Sequence, residues 1–401
     1  MTDRNLALDY LRAFVTVLVL AFHSFIAYGV YIPSPAARFD TKPYLWSPFP
    51  IVDRERWLGF DLFIGFNDIF FMSLMFLLSG LFVWPSLVRK GSGRFLRDRA
   101  LRLGLPFAVV VTFLMPLAYY PSYRATGADP GFSAYWRQWL ALDYWPFGPC
   151  WFVALLLAFA CVAAGLFRLD SRWGNALGRL SSFAWGRPTA YFLGLVVISA
   201  LAYFPLRFAF GPTQWFVFGP FGVQASRPLL YAVYFFAGVG IGAYGVERGL
   251  LASDGQLARR WVAWLVAALL LYALAVASLI LSRAAGGETL KSWQTLGPAS
   301  LGWQIAIGLA FVLSCGASGF FLLALFVRFV GDRARVLDSL RDNAYGMYLI
   351  HYVFVVWLQY SLLHQTWPAI LKAAIVFTGT LLLSWSTIAA IKRIPVVRSL
   401  I

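Results

Sequence analysis

Leu8-Asp-Tyr-Leu-Arg12-Ala-Phe-Val-Thr-Val-Leu-Val-Leu-Ala-Phe-His23-Ser-Phe-Ile-Ala-Tyr-Gly29 decides how this chain is read. The stretch is long enough to cross a bilayer, which takes about 20 mostly apolar residues. Arg4 ahead of it and Pro35-Ala36-Ala37 behind it imitate a secretory signal. A cleaved signal has a shorter apolar core, however, and this one holds Asp9, Arg12 and His23. It reads as a retained first span. Ionisable residues inside a span are costly and face the protein interior.

Arg12 and His23 are eleven residues apart. At 100° per residue they fall about 20° apart around a helix and roughly 16 Å apart along it, so they share a face. Asp9 precedes Arg12 by three residues, the spacing of an ion pair on one face. Read functionally, the face is an anion clamp at one end and a proton acceptor at the other. Read structurally, Arg12 is a snorkelling anchor and His23 a hydrogen-bonded core histidine.

The rest of the chain continues in the same character. Of its 401 residues 61% are hydrophobic and 12% are charged, against about 25% charged in soluble domains. A soluble protein this apolar could not clothe its surface in polar groups. Nine further apolar runs lie near 61–84, 103–121, 147–167, 188–207, 228–246, 260–282, 301–327, 343–361 and 369–391. The expected fold is all-α: a polytopic transmembrane helix bundle of about ten spans, one membrane-embedded domain over 1–401 with no separate soluble domain. Chemistry then falls to the spans and their loops. The outer loops near 30–60 and 122–146 are rich in Pro, Trp and Tyr and are expected to pack on the outer surface.

The net charge of +16 lies in short loops between apolar runs, which points to topology and away from nucleic acid. Loops on the N-terminal side, with clusters at Arg89–Arg102, Arg168–Arg187 and Arg328–Arg341, hold about twice the Lys and Arg of the opposite loops, which include Arg207, Arg227, Arg283 and Lys291. That bias places both termini in the cytoplasm. Cys150, Cys161 and Cys315 sit in or beside apolar runs, with no spacing that suggests a disulfide framework or metal site.

Three other clusters carry candidate chemistry. Arg99 and Arg102 lie three apart in Arg94-Phe-Leu-Arg97-Asp-Arg99-Ala-Leu-Arg102-Leu-Gly-Leu-Pro106, a basic loop that either grips a phosphorylated cofactor or merely marks the cytoplasmic side. Tyr345, Tyr348 and His351 recur every third residue, with His351 either catalytic support or a core hydrogen-bonding residue. Asn67 and Asp68 either face an acceptor pocket or mark the end of the second span, and His364 in a short outer loop reads as solvated.

Taken in order, these segments resemble the acyltransferase 3 family of membrane O-acyltransferases. The matches are Leu8-Asp9-Tyr-Leu-Arg12 with His23 in an Arg-x10-His pattern, Phe76-Leu-Leu-Ser79-Gly80, Arg99-x-x-Arg102, Gly148-Pro-Cys-Trp151-Phe152, and Tyr345-Gly346-Met-Tyr348-Leu-Ile-His351. They span nearly the whole chain. The ending Arg393-Ile-Pro395-Val-Val-Arg398 looks most like the branch that decorates periplasmic glucans, the glucan succinyltransferase type. Two positions depart from the pattern: Ser73 stands where an Asp is frequent, and Cys150 where His or Leu is frequent.

The resemblance implies transfer of an acyl group, acetyl or succinyl, from cytoplasmic acyl-CoA to a carbohydrate hydroxyl at the outer side of a bacterial inner membrane. A sugar hydroxyl is a poor nucleophile at neutral pH, so a base must take its proton. His23 is the expected base. Arg12, Arg99 and Arg102 are expected to hold CoA phosphates or polarise the carbonyl, with Asp9, Asp68, Trp151, Tyr345, Tyr348 and His351 in support or on the acceptor side. Acyl-CoA is the donor substrate; no metal and no permanently bound cofactor is expected. The rival readings are a glycan or lipid transporter and a non-catalytic sensor or scaffold.

Overall fold

The computed structural model describes residues 5–184, 186–286 and 300–400; Arg4, Lys291 and the side chain of Arg398 fall outside that description. The described chain is almost wholly helical. Helix α1 (Leu6–Phe25) is capped by Asn5, whose side chain accepts from Leu8 N at 3.3 Å. It packs against α2 (Leu58–Gly80), α13 (Leu301–Phe329), α14 (Arg335–Ser361) and α15 (Ala369–Ile391), which places it inside the bundle.

The remaining elements, in order, are α3 (Val83–Arg99), α4 (Leu105–Val109), α5 (Met115–Ala125), α6 (Phe132–Leu140), α7 (Trp151–Leu169), α8 (Trp173–Ser182), α9 (Pro188–Phe210), a hairpin of β1 (Trp215–Phe218) and β2 (Phe221–Gln224), α10 (Pro228–Tyr244), α11 (Gln256–Arg259), α12 (Trp261–Ala285) and, after α15, α16 (Pro395–Leu400). Among the described residues, eight helices are long and apolar enough to cross a membrane. Two of the ten expected spans fall short of that standard. α10 has only 17 residues, and α14 is diluted by Tyr345, Tyr348, His351 and Gln359.

Several expected boundaries move. The second span begins at Leu58 and ends at Gly80 rather than covering 61–84. The basic stretch around Arg94–Arg102 is not a loop. It is helical and continues into the third span, forming one helical run from Val83 to Ala125 with a kink at Gly91 and π-helical turns at Ala100–Gly104 and Val110–Leu114. Proline explains much of this. Pro106 and Pro121 have no N–H to give the carbonyls four residues back, those of Arg102 and Leu117. Both carbonyls are taken by α14 instead: Tyr345 Oη donates to Arg102 O at 2.7 Å and Trp357 Nε1 to Leu117 O at 2.9 Å. The broken helix and α14 are thus stitched together at its proline defects. α14 itself starts at Arg335, ahead of the expected 343.

The hairpin was not anticipated either. Its strands pair antiparallel around Gly219, with Trp215 opposite Gln224. The long segments near 30–60 and 122–146 do fold onto the bundle: Phe39, Trp46 and Trp139 are buried, Phe39 stacks on Trp46 at 4.1 Å, and Tyr119 Oη donates to Ser47 O at 2.9 Å. Lys372, expected within the last span, is fully buried there and bonds both carboxylate oxygens of Asp53 at 2.9 Å. It clasps the segment between α1 and α2 to α15.

Apolar side chains drive less association in lipid than in water, so membrane helices rely on close backbone approach. α2 and α10 show this. A methyl on Gly80 would stand 2.1 Å from Phe235 O, one on Gly238 2.1 Å from Leu77 O, and one on Gly242 1.9 Å from Leu81 O. Ser79-Gly80 is therefore a packing feature. The outward faces of α9, α12 and α15 are apolar, with Leu201, Leu270 and Leu382 exposed, as a hydrocarbon surround requires.

Candidate active site

His23 and His351 meet where α1 packs on α14. His351 Nδ1 lies 2.6 Å from Tyr348 O, and His23 Nδ1 lies 2.9 Å from Val19 O. A carbonyl oxygen only accepts, so each Nδ1 must carry the proton. His351 Nε2 is then an acceptor, and it stands 3.2 Å from His23 Nδ1. The His23 N–H is shared between Val19 O and His351 Nε2. His23 Nε2 is left with its lone pair. Gln359, also on α14, donates to His23 O at 2.8 Å and Ser24 O at 3.2 Å, fixing the last turn of α1 against α14.

His23 stands in the wall of a cavity of about 890 Å³. α1 contributes nothing below Val19 to that wall. α2 brings Asp68, α7 brings Trp151, α10 brings Tyr231, α14 brings Tyr348 and Tyr352, the long segments before α2 and α7 bring Lys42, Tyr44 and Asp143, and β1 of the hairpin brings Trp215. Gly148-Pro-Cys-Trp151 is the turn into α7. Gly148 has φ +50° and passes so close to Met115 that a methyl would stand 2.6 Å from its sulfur. Tyr348 Oη donates to Pro149 O and anchors that turn to α14. Trp151 stacks on Tyr231 with ring centroids 5.6 Å apart.

Asp68 does more than mark an end. Its carboxylate takes both terminal nitrogens of Arg227, at 3.1 and 2.5 Å, and its carbonyl accepts a third bond at 3.1 Å. Asn67 is buried beside it and donates to Phe63 O at 2.8 Å. At the outer rim Lys42 bridges to Asp143. The hydrogen bond from Lys42 holds the Asp143 carboxyl below its ordinary range, and the same bond pushes Lys42 up.

The other predicted residues gather elsewhere. Arg12 sits 3.7 Å from Asp9, 3.4 Å from Leu78 O and over the Phe82 ring at 5.1 Å. Arg99 lies over Phe95 at 5.1 Å and within electrostatic reach of both Arg12 and Arg102. Tyr345 joins this end through Arg102 O. Arg12, Arg99, Arg102, Asp9, Tyr345 and His351 do not line the cavity. The shared face of α1 therefore joins two regions: the end at Arg12, near which Arg99 and Arg102 gather from the neighbouring helical run, and a histidine-walled cavity that starts about 10 Å further along the helix at Val19. His364 is exposed.

A family model described as an acyltransferase domain, of the acyltransferase 3 type, matches residues 5–389. The chain belongs to this acyltransferase family. The match runs from the Asn5 cap into α15, so both ends of the α1 stripe lie inside the acyltransferase domain. It is accordingly an acyltransferase built in a bundle of apolar, membrane-length helices. No curated protein and no solved structure matches the chain.

Arg227, Tyr231, Trp215, Lys42 and Asp143 line the cavity but were not among the expected site residues. Arg227 carries a signal, since it is a cation at the opening of an apolar helix. Its partner Asp68 is far away in sequence, and spacing along one helix cannot find such a pair. In sequence nothing separates Trp215 and Tyr231 from interfacial aromatics.

Proposed function

We propose that this acyltransferase moves an acyl group of the acetyl or succinyl class from cytoplasmic acyl-CoA to a hydroxyl of a periplasmic or cell-surface carbohydrate. The observation that carries the reading is His23, a neutral imidazole whose Nε2 lone pair is uncommitted at the wall of an aromatic-lined cavity. The acceptor hydroxyl gives its proton to His23 Nε2 as its oxygen attacks the thioester carbonyl. The new C–O bond forms, the C–S bond breaks, and the proton returns to the leaving thiolate. Arg12, Arg99 and Arg102 hold the phosphates of CoA, for which clustered guanidiniums are suited. The donor's narrow thioester arm then reaches along α1 toward His23. A succinyl donor would also bring a carboxylate, for which Arg12 is the candidate partner; this is the glucan-decorating version of the reading.

On this reading both termini are cytoplasmic, the chain crosses a bacterial inner membrane about ten times, Asp68, Trp151 and Tyr348 line the acceptor side, and Asp9, Tyr345 and His351 support. Purified protein given labelled acyl-CoA and outer-surface glycan should transfer label, and His23→Ala at equal level and insertion should not. Glycan labelling undiminished by His23→Ala overturns the assignment. Acyl groups trapped on His23 would replace direct transfer by two steps. A glycan or lipid transporter is the second reading, favoured by a second cavity sharing a wall with the first. It predicts transport of glycan or lipid with no transfer of label.

A further inference from the structure

The second cavity, about 670 Å³, shares Phe22, Ile26, Asp68, Thr213, Gln224 and Arg227 with the first. It differs in character. Its own walls come from α2, α9, α12 and α13, with Ile64, Ile69, Val276, Leu279, Ile307 and Phe311 among them. It opens where apolar side chains face outward: Phe208, in its wall, is 45% exposed.

Among these residues stands Arg207, near the end of α9 and only 7% exposed. Its Nη1 meets Tyr203 Oη at 3.1 Å, and its guanidinium lies 5.7 Å from the same ring. Its Nε is buried with no hydrogen-bond partner. The carboxylates of the cavity are engaged elsewhere: Asp61 accepts from Val30 N at 2.7 Å and Tyr31 N at 3.0 Å, and Asp68 is held by Arg227. No described carboxylate pairs with Arg207. A buried cation without a counter-ion is expensive unless something anionic joins it. Topology does not explain it, because Arg207 lies at the same end of the bundle as His23, against the positive-inside bias.

We infer that this cavity binds an anionic phospholipid of the surrounding bilayer, its phosphodiester at Arg207 and an acyl chain along the α12–α13 wall. The phosphodiester supplies one negative charge to one unmatched cation. The apolar walls and outward opening suit a hydrocarbon chain entering sideways, which a free phosphate would not need. The inference stands apart from the acyl-transfer chemistry.

The test is native mass spectrometry of the full chain in nanodiscs containing phosphatidylglycerol, phosphatidylcholine and diacylglycerol. Wild-type protein should retain phosphatidylglycerol at least several-fold over diacylglycerol. Arg207→Gln should abolish that selectivity and Arg207→Lys keep part of it. Ala275→Trp fills the cavity from α12 without touching the charge and should lose the bound lipid with the fold intact, which guards against a misfolded Arg207 variant. Equal retention in wild type and a folded Arg207→Gln overturns the proposal. So does inorganic phosphate displacing the signal at low millimolar concentration, which would make the site a free-anion site. Retention of a phosphate-linked saccharide lipid in preference to every phospholipid also overturns it.

Discussion

His351 Nε2 stands 3.2 Å behind His23 Nδ1, and the carbonyls of Val19 and Tyr348 fix the proton position on both rings. His351 does not line the cavity, so on the proposed mechanism it acts through His23. Its removal should be milder than removal of the base. His23→Ala is expected to lower kcat by about 10²–10⁴-fold, the usual weight of general-base catalysis. His351→Ala removes one neutral hydrogen bond, worth about 1 kcal/mol, and should lower kcat about five- to tenfold with the KM for acyl-CoA unchanged. His351→Gln, which keeps an acceptor, should recover part of that loss. Steady-state transfer rates check all three. An equal loss in both alanine variants would make the pair a single unit.

The clasp between Lys372 and Asp53 makes a sharper statement about stability. The two residues are 0% and 1% exposed. Removing one partner strands the other charge in the protein interior, at about 3–5 kcal/mol. Lys372→Met alone should markedly lower the unfolding midpoint of the purified protein. Lys372→Met combined with Asp53→Leu should recover most of it, because replacing both charges is often neutral. A double variant as unstable as the single one would mean that Asp53 matters through Glu55 N, which it also accepts, at 2.9 Å.

Much of this arrangement was readable beforehand, and the boundary of what was readable is physical. Hydrophobic length gave the helices, and helical spacing put Arg12 and His23 on one face and Asp9 beside Arg12. These are properties of a single helix. The pairs Asp68–Arg227, Asp53–Lys372 and His23–His351 are properties of helices meeting, and no periodicity within one span encodes them. The π-helical turn at Ala100–Gly104 was hidden because the basic residues around Arg99 masked a helix that continues through them. Pro106 was visible, but its effect depends on Tyr345 being positioned to take the carbonyl it frees.

The rim pair Lys42–Asp143 predicts a pH and salt signature. Asp143 is depressed in the folded state, so its contribution is present above the ordinary carboxylate value and is lost as pH falls through the lowered one. Lys42 is raised, so its contribution is present below the ordinary ammonium value and lost as pH rises through the raised one. The bridge is whole across neutral pH. Both groups are well exposed, so salt screens them over about 10 Å at 0.1 M. The acceptor KM should rise with salt, and rise again only once pH has fallen below the ordinary carboxylate range. Lys42→Met should flatten both trends and leave thermal stability unchanged. Trends that persist in that variant would place the sensitive charge elsewhere in the cavity wall.

Pro106 offers the closest test of how the arginine end is built. Pro106→Ala restores an N–H four residues after Arg102 and lets the helix claim the carbonyl that Tyr345 now holds at 2.7 Å. Competition for that oxygen should loosen Tyr345, shift the π-helical turn and move Arg102 relative to Arg99 and Arg12. The chain should fold as well as before, since proline inside a helix costs about 3 kcal/mol relative to alanine. Donor binding should suffer instead, with the KM for acyl-CoA raised several-fold while kcat at saturating donor changes little. Tyr345→Phe should reproduce part of that rise by removing the same bond from the other side, worth about 1 kcal/mol. The double variant should be no worse than Pro106→Ala alone, because the bond can be lost only once. Additive losses in the double variant would show that proline and tyrosine act on the arginines by separate routes.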